Sequence, residues 1–287
     1  MAELPDRLAF HPGELAAQRD AGLTEMAARV HPIVASTLPT GAADFLLRQR
    51  LLVLGAADHD GRVWATGLHG PAGSVTAVDP HTLRTSVGAL PTDPLADVLR
   101  GPADVGTLAI DLATRRRLRI NGRWRPREHG GEVAVHQAFG NCPKYILARA
   151  VPDGALPGHA TTTRGTVLDD DQARLVANAD TFFVATAAGS GADVSHRGGD
   201  PGFVRVLSPG ELSWPDYVGN AMMMTSGNLR LNPAAGLLFP DFRTGATLQL
   251  TGTAEVRPSR DAGTGRETVF RITEAVHTEN AFAAGWS

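Results

Sequence analysis

The hydrophobic pattern at the start of the chain predicts helices. Pro12 suits the first position of a helix, and the apolar residues Leu15, Leu23 and Met26 then recur at roughly helical spacing. We therefore expect a helical segment at residues 1–45, ahead of a region with a different pattern.

From residue 51 onward, the pattern predicts short strands separated by Gly and Pro. Residues 51–54 form an apolar run, and the turn-rich stretch 58–61 joins it to 62–66 as in a β-hairpin. Further strands are predicted at 74–78, 83–87, 107–112 and 118–124. Many short strands with frequent turns favour a barrel or a sandwich, so the predicted fold class is mainly β (α+β).

The predicted strand pattern occurs twice. At a constant offset of 130, residues 105–122 and 235–252 are identical at Gly106/Gly236, Leu108/Leu238, Asp111/Asp241, Thr114/Thr244, Leu118/Leu248 and Gly122/Gly252. Upstream, residues 52–57 align with 183–188 at an offset of 131. The alternative is coincidence between strands rich in Gly and Leu. A true repeat would mean two duplicated units in one chain.

Composition narrows the classes of partner. The 27 basic and 30 acidic residues give a net charge of −3, which provides no electrostatic footprint for nucleic acid. A single cysteine excludes an internal disulfide and a cysteine-ligated zinc site. No apolar stretch approaches the ~20 residues that span a bilayer, and the first residues do not resemble a signal peptide. We expect a cytoplasmic protein without a membrane partner.

The segment 192–204 is the strongest candidate for binding chemistry. Ser195, His196 and Arg197 precede a run of glycines, which lets the backbone approach a ligand closely. An arginine beside exposed backbone N–H groups suits a phosphate or a carboxylate. A long polar turn is the structural alternative. His196 has no partner at metal-ligand spacing, so we expect no zinc.

Three rare residue types lie together at 141–146. This hexapeptide contains the only lysine, Lys144, the only cysteine, Cys142, and Tyr145, one of two tyrosines. A lone cysteine is weak grounds for a nucleophile and is more often buried packing. Lys144 is the better candidate, as a charge that faces an anionic ligand.

Seven arginines lie between residues 115 and 127. They alternate with Leu118, Ile120 and Trp124, which is typical of a solvated strand face. A nucleic-acid stripe is the alternative, and the net charge opposes it. We therefore expect this run to face solvent.

The segment ADVSHRGGDPGFVRV at 192–206 resembles the flavin-binding segment of pyridoxamine 5′-phosphate oxidase-like proteins. Residues 232–239, 248–254 and 141–146 resemble other segments of that family, and 11–14 is similar to the opening of its longer, two-barrel members. The resemblance covers roughly residues 45–287. It implies a split β-barrel fold with FMN bound between two barrels. With the internal repeat, one chain would supply both barrels as a pseudo-dimer.

The resemblance also implies roles for particular residues. Lys144, Tyr145 and His196 would orient the substrate or move a proton. The residues expected to bind the cofactor are Ser195, Arg197, Gly198, Pro201, Gly202, Phe203, Asn220, Thr225 and Asn228. The implied division is a helical segment at 1–45, a first split-barrel repeat at 46–150, a linker and helix at 151–178, and a second repeat at 179–287.

The sequence departs from the family where many relatives grip the FMN phosphate. In the stretch 220–228 many relatives carry Arg or Lys together with Ser. This chain instead has Ala221 followed by three methionines. Core packing is the favoured explanation for the methionines. Either another cation among Arg197, Arg205, Arg230 and Lys144 replaces them, or the cofactor is haem or the deazaflavin F420.

The leading functional prediction is an FMN-dependent oxidoreductase that acts on a small molecule. Two alternatives stay open: a haem-dependent split-barrel enzyme of secondary metabolism, and a non-catalytic member that binds a small molecule. The sequence leaves open whether the chain forms a homodimer.

Overall fold

The computed structural model describes residues 8–140, 143–150, 159–189, 191–260 and 263–286. The helices in this part are α1 (Pro12–Asp20), α2 (Thr24–Val30), α3 (Ala42–Leu47), α4 (Asp170–Asn178) and α5 (Met224–Leu231), with 3₁₀ turns at His31–Ile33 and Val98–Arg100. Within the described residues, no helix has the length and apolar character needed to cross a membrane.

Two antiparallel sheets make up most of the molecule. The strands of the first are β1 (Leu51–Ala57), β2 (Val63–His69), β3 (Val75–Asp79), β4 (Thr82–Thr85), β5 (Ala103–Asp111), β6 (Arg116–Pro126) and β7 (Gly131–Gly140). Those of the second are β8 (Thr161–Gly165), β9 (Thr181–Ala188), β10 (Gly191–Gly198), β11 (Arg205–Ser208), β12 (Glu211–Pro215), β13 (Ala234–Asp241), β14 (Ala246–Pro258) and β15 (Arg266–Glu279). The predicted fold class, mainly β with two barrel-like sheets, is confirmed.

The two sheets have the same strand order. The first runs β2-β1-β5-β6-β7-β4-β3, and the second runs β10-β9-β13-β14-β15-β12-β11, with β8 added beside β15. Gly55 pairs with Gly106, and Ala185 pairs with Gly236. By this register β1 corresponds to β9 at an offset of 130, so the predicted offset of 131 is wrong by one residue. Both strands are almost continuously apolar, and such runs align equally well in two registers.

The sheets pack against each other through a shared apolar core. Val53 and Leu108 of the first sheet lie in one cluster with Phe183, Val194 and Leu238 of the second. Glycine permits the closest approach, because a Cβ on Gly106 would lie 2.5 Å from the Cα of Asp193. Strand β10 is thereby pressed against the first sheet.

Helix α1 is anchored to α5, and this contact positions the N-terminal polar residues. His11 caps α1 by accepting from the Gly13 N–H, and Glu14 accepts from the His11 N–H at 2.9 Å, which completes a capping box. A Cβ on Gly13 would lie 2.2 Å from the carbonyl oxygen of Gly227. The helices can therefore touch only because both positions are glycine, and His11 and Glu14 are held over α5.

Candidate functional site

A buried arginine joins the two sheets. Arg119 on β6 is 7% exposed, and it donates to Ser195 Oγ at 2.7 Å and to Asp193 Oδ2 at 3.1 Å, both on β10. Its guanidinium also lies 5.2 Å from the centre of the Phe139 ring. The prediction that this arginine run faces solvent is wrong for Arg119, because the second sheet covers β6 at that point.

The carboxylate of Asp193 is held by the first sheet. Asn121 Nδ2 donates to Asp193 Oδ1 at 3.1 Å and to Gln137 Oε1 at 3.2 Å. Asp193 is 2% exposed, so its charge depends on Arg119 for compensation. Arg119, Asp193 and Asn121 therefore form one buried polar network across the interface between the sheets.

Helix α5 contributes a hydroxyl to the same network. Thr225 Oγ1 lies 3.1 Å from Ser195 Oγ and accepts a 3.1 Å hydrogen bond from Arg197 Nη2. Burial lowers the pKa of Arg197. Three of the predicted cofactor-binding residues, Ser195, Arg197 and Thr225, are thus in direct contact.

His196 is a buried, neutral imidazole. Its Nδ1 lies 3.1 Å from Arg117 Nη1, and because a guanidinium only donates, Nδ1 accepts and the proton is on Nε2. Burial first, and then the charges of Arg117, Arg197 and Arg149, hold the His196 pKa well below its ordinary value. Nε2 has no hydrogen-bond partner among the described residues, so it retains an unused donor.

These side chains surround a small cavity of about 80 Å³, which we call the cationic cavity. Its basic lining residues are Arg117, Arg119, Arg197 and Lys144, and its other lining residues include Tyr145, His196, Gly198, Asp216, Tyr217, Val218 and Asn220. Asp216 is paired with Arg266 at 2.9 Å. The cavity therefore has a strong excess of positive charge and suits an anion.

The floor and the rim of the cationic cavity differ in exposure. Arg119, His196 and Asp216 are buried, whereas Tyr145 is 42% exposed and Val218 is 60% exposed. The Tyr145 ring stacks on that of Tyr217 at 4.8 Å, and its hydroxyl donates to the Val218 carbonyl. The rim is thus partly aromatic, while the floor is charged.

Gly198 allows the segment that carries Lys144 and Tyr145 to reach the cavity. A Cβ on Gly198 would lie 2.0 Å from the Tyr145 carbonyl oxygen, a distance that no side chain allows. Tyr145 itself adopts a left-handed backbone conformation, with φ of 65°. Cys142, in the same hexapeptide, lies outside the described residues.

The structure brings six of the predicted site residues together around the cationic cavity. They are Lys144, Tyr145, His196, Arg197, Gly198 and Asn220. Asn220 presents a buried Nδ2 that has no hydrogen-bond partner in the described part of the chain.

Four other predicted residues are not among those that line the cationic cavity, although Phe203 stacks on the rim residue Tyr217 at 6.5 Å. Pro201, Gly202 and Phe203 lie in a turn, where the Gly202 N–H donates to the Ala177 carbonyl and Phe203 stacks on Phe182. Asn228 lies beyond Thr225 on α5 and binds His11 Nε2 through Oδ1 at 2.9 Å.

Two of the arginines suggested as replacements for the phosphate clamp are also elsewhere. Arg205 is paired with Glu267, and Arg230 is paired with Asp20. Neither is among the residues that line the cationic cavity. Of the four suggested cations, only Arg197 and Lys144 lie there.

Sequence reasoning missed Arg117, Arg119 and Asp193 as site residues. One signal was present, because at the offset of 130 Arg117 and Arg119 correspond to Thr247 and Gln249. An arginine that occurs in only one of two matching strands indicates a specific role and not merely a solvent-exposed position.

The two sheets meet again on the other side of their interface, where β14 packs against β2. Arg119 pairs with Leu108 in the first sheet as Gln249 pairs with Leu238 in the second. Gln249 therefore holds the place in the second sheet that Arg119 holds in the first.

This second contact is closed by protein groups. Gln249 Nε2 donates to the Ala65 carbonyl and to Asp93 Oδ2, each at 3.0 Å, and Thr66 also donates to Asp93. Burial raises the pKa of the Asp93 carboxyl. An amide and a carboxyl group take the place of the guanidinium, so this contact does not suit an anion.

No metal centre is evident in the part of the chain that the structure describes. None of its His, Cys, Asp and Glu residues form a group of three or more that could hold an ion.

Comparison with known proteins gives similarity of fold alone. No family model matches the chain, and no curated protein matches it. Solved structures similar to it include a putative pyridoxamine 5′-phosphate oxidase from Lactobacillus delbrueckii, at 19% identity over 39% of this chain and 94% of that chain, with a TM-score of 0.33. HupZ from Group A Streptococcus is 16% identical over 41% and 98%, with a TM-score of 0.32. An FMN-binding protein from Syntrophomonas wolfei is 12% identical over 37% and 84%, with a TM-score of 0.28.

Proposed function

We propose that the protein binds FMN with the phosphate in the cationic cavity, and that it acts as an FMN-dependent oxidoreductase on a small molecule. The observation that carries this proposal is the convergence of Arg117, Arg119, Arg197 and Lys144 on one cavity of about 80 Å³. A phosphate dianion is the group that such a set binds most strongly, through charge-assisted hydrogen bonds.

The residues fit the phosphate end of FMN. Arg197 and Arg117 would neutralise the phosphate, and the unpartnered Nδ2 of Asn220 would donate to one of its oxygens. Pockets that enclose a whole ligand of this class measure roughly 300–1,000 Å³, so the cationic cavity has room for the phosphate but not for the ring. The isoalloxazine ring of FMN would therefore lie outside the cationic cavity.

The rim offers groups for the rest of the cofactor and for the substrate. The stacked rings of Tyr145 and Tyr217 present an aromatic surface there. When bound, FMN supplies hydride and electron transfer, and the protein supplies placement and electrostatics. His196 stays neutral at the floor, where it can donate from Nε2 without adding charge, and Lys144 provides an exposed cation at the rim.

The visible absorption spectrum of the purified protein, before and after incubation with FMN, tests the proposal. Flavin bands that persist through desalting are expected. Arg197→Ala should lower the bound fraction, whereas Arg243→Ala, which removes an arginine exposed on the surface, should not. A Soret band would assign the cofactor to haem instead, and a protein that retains no FMN would refute the proposal. Bound FMN that no reductant and substrate can turn over would indicate a non-catalytic binding protein.

A further inference from the structure

A second cavity lies between the N-terminal segment and the interface of the two sheets. It measures about 280 Å³, and we call it the N-terminal cavity. Phe10, Val105 and Met224 form an apolar part of its wall, while Asn121, Asp193 and Glu14 bring polar groups to it. An apolar cavity with a few convergent polar groups is the usual form of a site for a small molecule.

One buried hydrogen-bond acceptor in this wall is unused. Asn121 is 8% exposed, and its Oδ1 has no hydrogen-bond partner among the described residues. The orientation of its amide is fixed, because Nδ2 donates to acceptor oxygens of both Asp193 and Gln137. A buried acceptor without a partner is unfavourable, and a ligand that donates to it would recover this loss.

No Lys or Arg is among the described residues that line the N-terminal cavity. The charge of Asp193 is compensated by Arg119 at 3.1 Å. Burial raises the pKa of Glu14 to about 7, and burial also lowers the pKa of His11, which donates from Nε2 to Asn228. The cavity therefore lacks the excess of cations that marks the cationic cavity.

The two cavities share a wall. Arg119 lines the cationic cavity, and its Nη1 contacts Asp193 Oδ2 at 3.1 Å and Met224 Sδ at 3.3 Å. Asp193 and Met224 both line the N-terminal cavity. A ligand in the N-terminal cavity would thus lie one side chain away from a phosphate bound in the cationic cavity.

We infer that the N-terminal cavity binds a small, uncharged, largely apolar molecule that donates one N–H or O–H hydrogen bond to Asn121 Oδ1. The binding of this ligand does not depend on the proposed function. The further claim that the ligand is the substrate rests on the proposed function. The acceptor selects for a donor and the apolar wall selects for an apolar body. The lack of Lys and Arg among the lining residues discriminates against anions.

Calorimetric titration of the full chain with three matched probes tests this inference. Indole carries an N–H donor, benzofuran has the same shape with an oxygen in its place, and indole-3-carboxylate adds a charge. We expect indole to bind at one site per chain. Benzofuran and the carboxylate should bind at least about tenfold more weakly than indole. In Asn121→Leu, which is similar in volume, indole and benzofuran should bind equally.

Two controls keep the outcome clear. A thermal unfolding curve of Asn121→Leu establishes that the variant is folded, and a second variant, Met224→Leu, preserves the acceptor and should keep the preference for indole. Arg197→Ala should leave indole affinity unchanged, so a failure to bind FMN is separate from a failure here. Equal affinity of the wild type for indole and benzofuran, no binding of any probe, or a preference that survives in Asn121→Leu would each overturn the inference.

Discussion

Arg119 on β6 donates a 2.7 Å hydrogen bond to Ser195 on β10, and both side chains are buried between the two sheets. The bond links the arginine run 115–127 of the first sheet to the segment 192–204 of the second. The candidate site therefore exists only where the sheets meet, and neither sheet alone contains the groups that form it.

Loss of Arg119 should destabilise the fold through Asp193. Arg119→Met removes the partner of a buried carboxylate, and breaking a buried ion pair in this way costs about 3–5 kcal/mol. The double variant Arg119→Met/Asp193→Asn removes the uncompensated charge and should recover a large part of that loss. Urea-induced unfolding measures both free energies. A loss below about 1 kcal/mol in the single variant, the range of an exposed pair, would contradict the buried pair described here.

Gly198 should be required for the position of Lys144 and Tyr145. In Gly198→Ala the new methyl group would lie 2.0 Å from the Tyr145 carbonyl oxygen, so the segment must move away from the cationic cavity. We expect at least about a tenfold loss of FMN affinity. Gly140→Ala is the matched control, because a Cβ there meets no atom within 4 Å. Equal affinities in the two variants would show that the contact is not needed.

Glu14 should make stability fall as pH rises. Its pKa is raised by burial from 4.5 to about 7, so the folded chain binds a proton that the unfolded chain has released. The resulting stabilisation is full below pH 4.5 and is lost as pH rises through about 7. Across this pH range the free energy of unfolding of the wild type should fall by up to about 3 kcal/mol relative to that of Glu14→Gln. Denaturant unfolding at pH 4.5, 6 and 8 measures this difference between the two proteins. A difference that stays constant with pH would contradict the raised pKa of Glu14.

One FMN should bind per chain despite the two matching sheets. The place that Arg119 takes in the first sheet is held by Gln249 in the second, and the amide of Gln249 contacts Asp93 at 3.0 Å. A neutral amide and a carboxyl group do not attract a dianion. Equilibrium titration followed by flavin fluorescence should saturate at one equivalent. Saturation at two equivalents would show that the contact between β14 and β2 also binds FMN, which would contradict this prediction.

The sequence predicted the fold class and part of the candidate site. Strand periodicity and turn residues identified a mainly β chain, and the segment 192–204 supplied Ser195, His196 and Arg197. The hexapeptide supplied Lys144 and Tyr145, which the structure places around the same cavity. These residues could be found because each lies in a locally unusual segment.

The remainder depends on packing between distant segments. Arg119 follows the alternation of an exposed strand, and only the position of β10 buries it. Pro201–Phe203 belongs to the same segment, 192–204, but lies in a turn that packs against α4 and is not among the residues that line the cavity. Glu14 is at an ordinary helix N-terminal position, and its burial results from contact with Gly227 on α5. Local sequence does not encode such neighbours.

The affinity of FMN relative to riboflavin tests the central claim most directly, because the two ligands differ only in the phosphate. Charge-assisted hydrogen bonds to the phosphate contribute about 1.5–3 kcal/mol each, so two of them predict FMN binding at least about 100-fold tighter. Arg197→Ala should reduce this ratio while leaving riboflavin affinity unchanged. Equal affinities for FMN and riboflavin in the wild type, or a ratio that Arg197→Ala does not alter, would contradict a phosphate site in the cationic cavity.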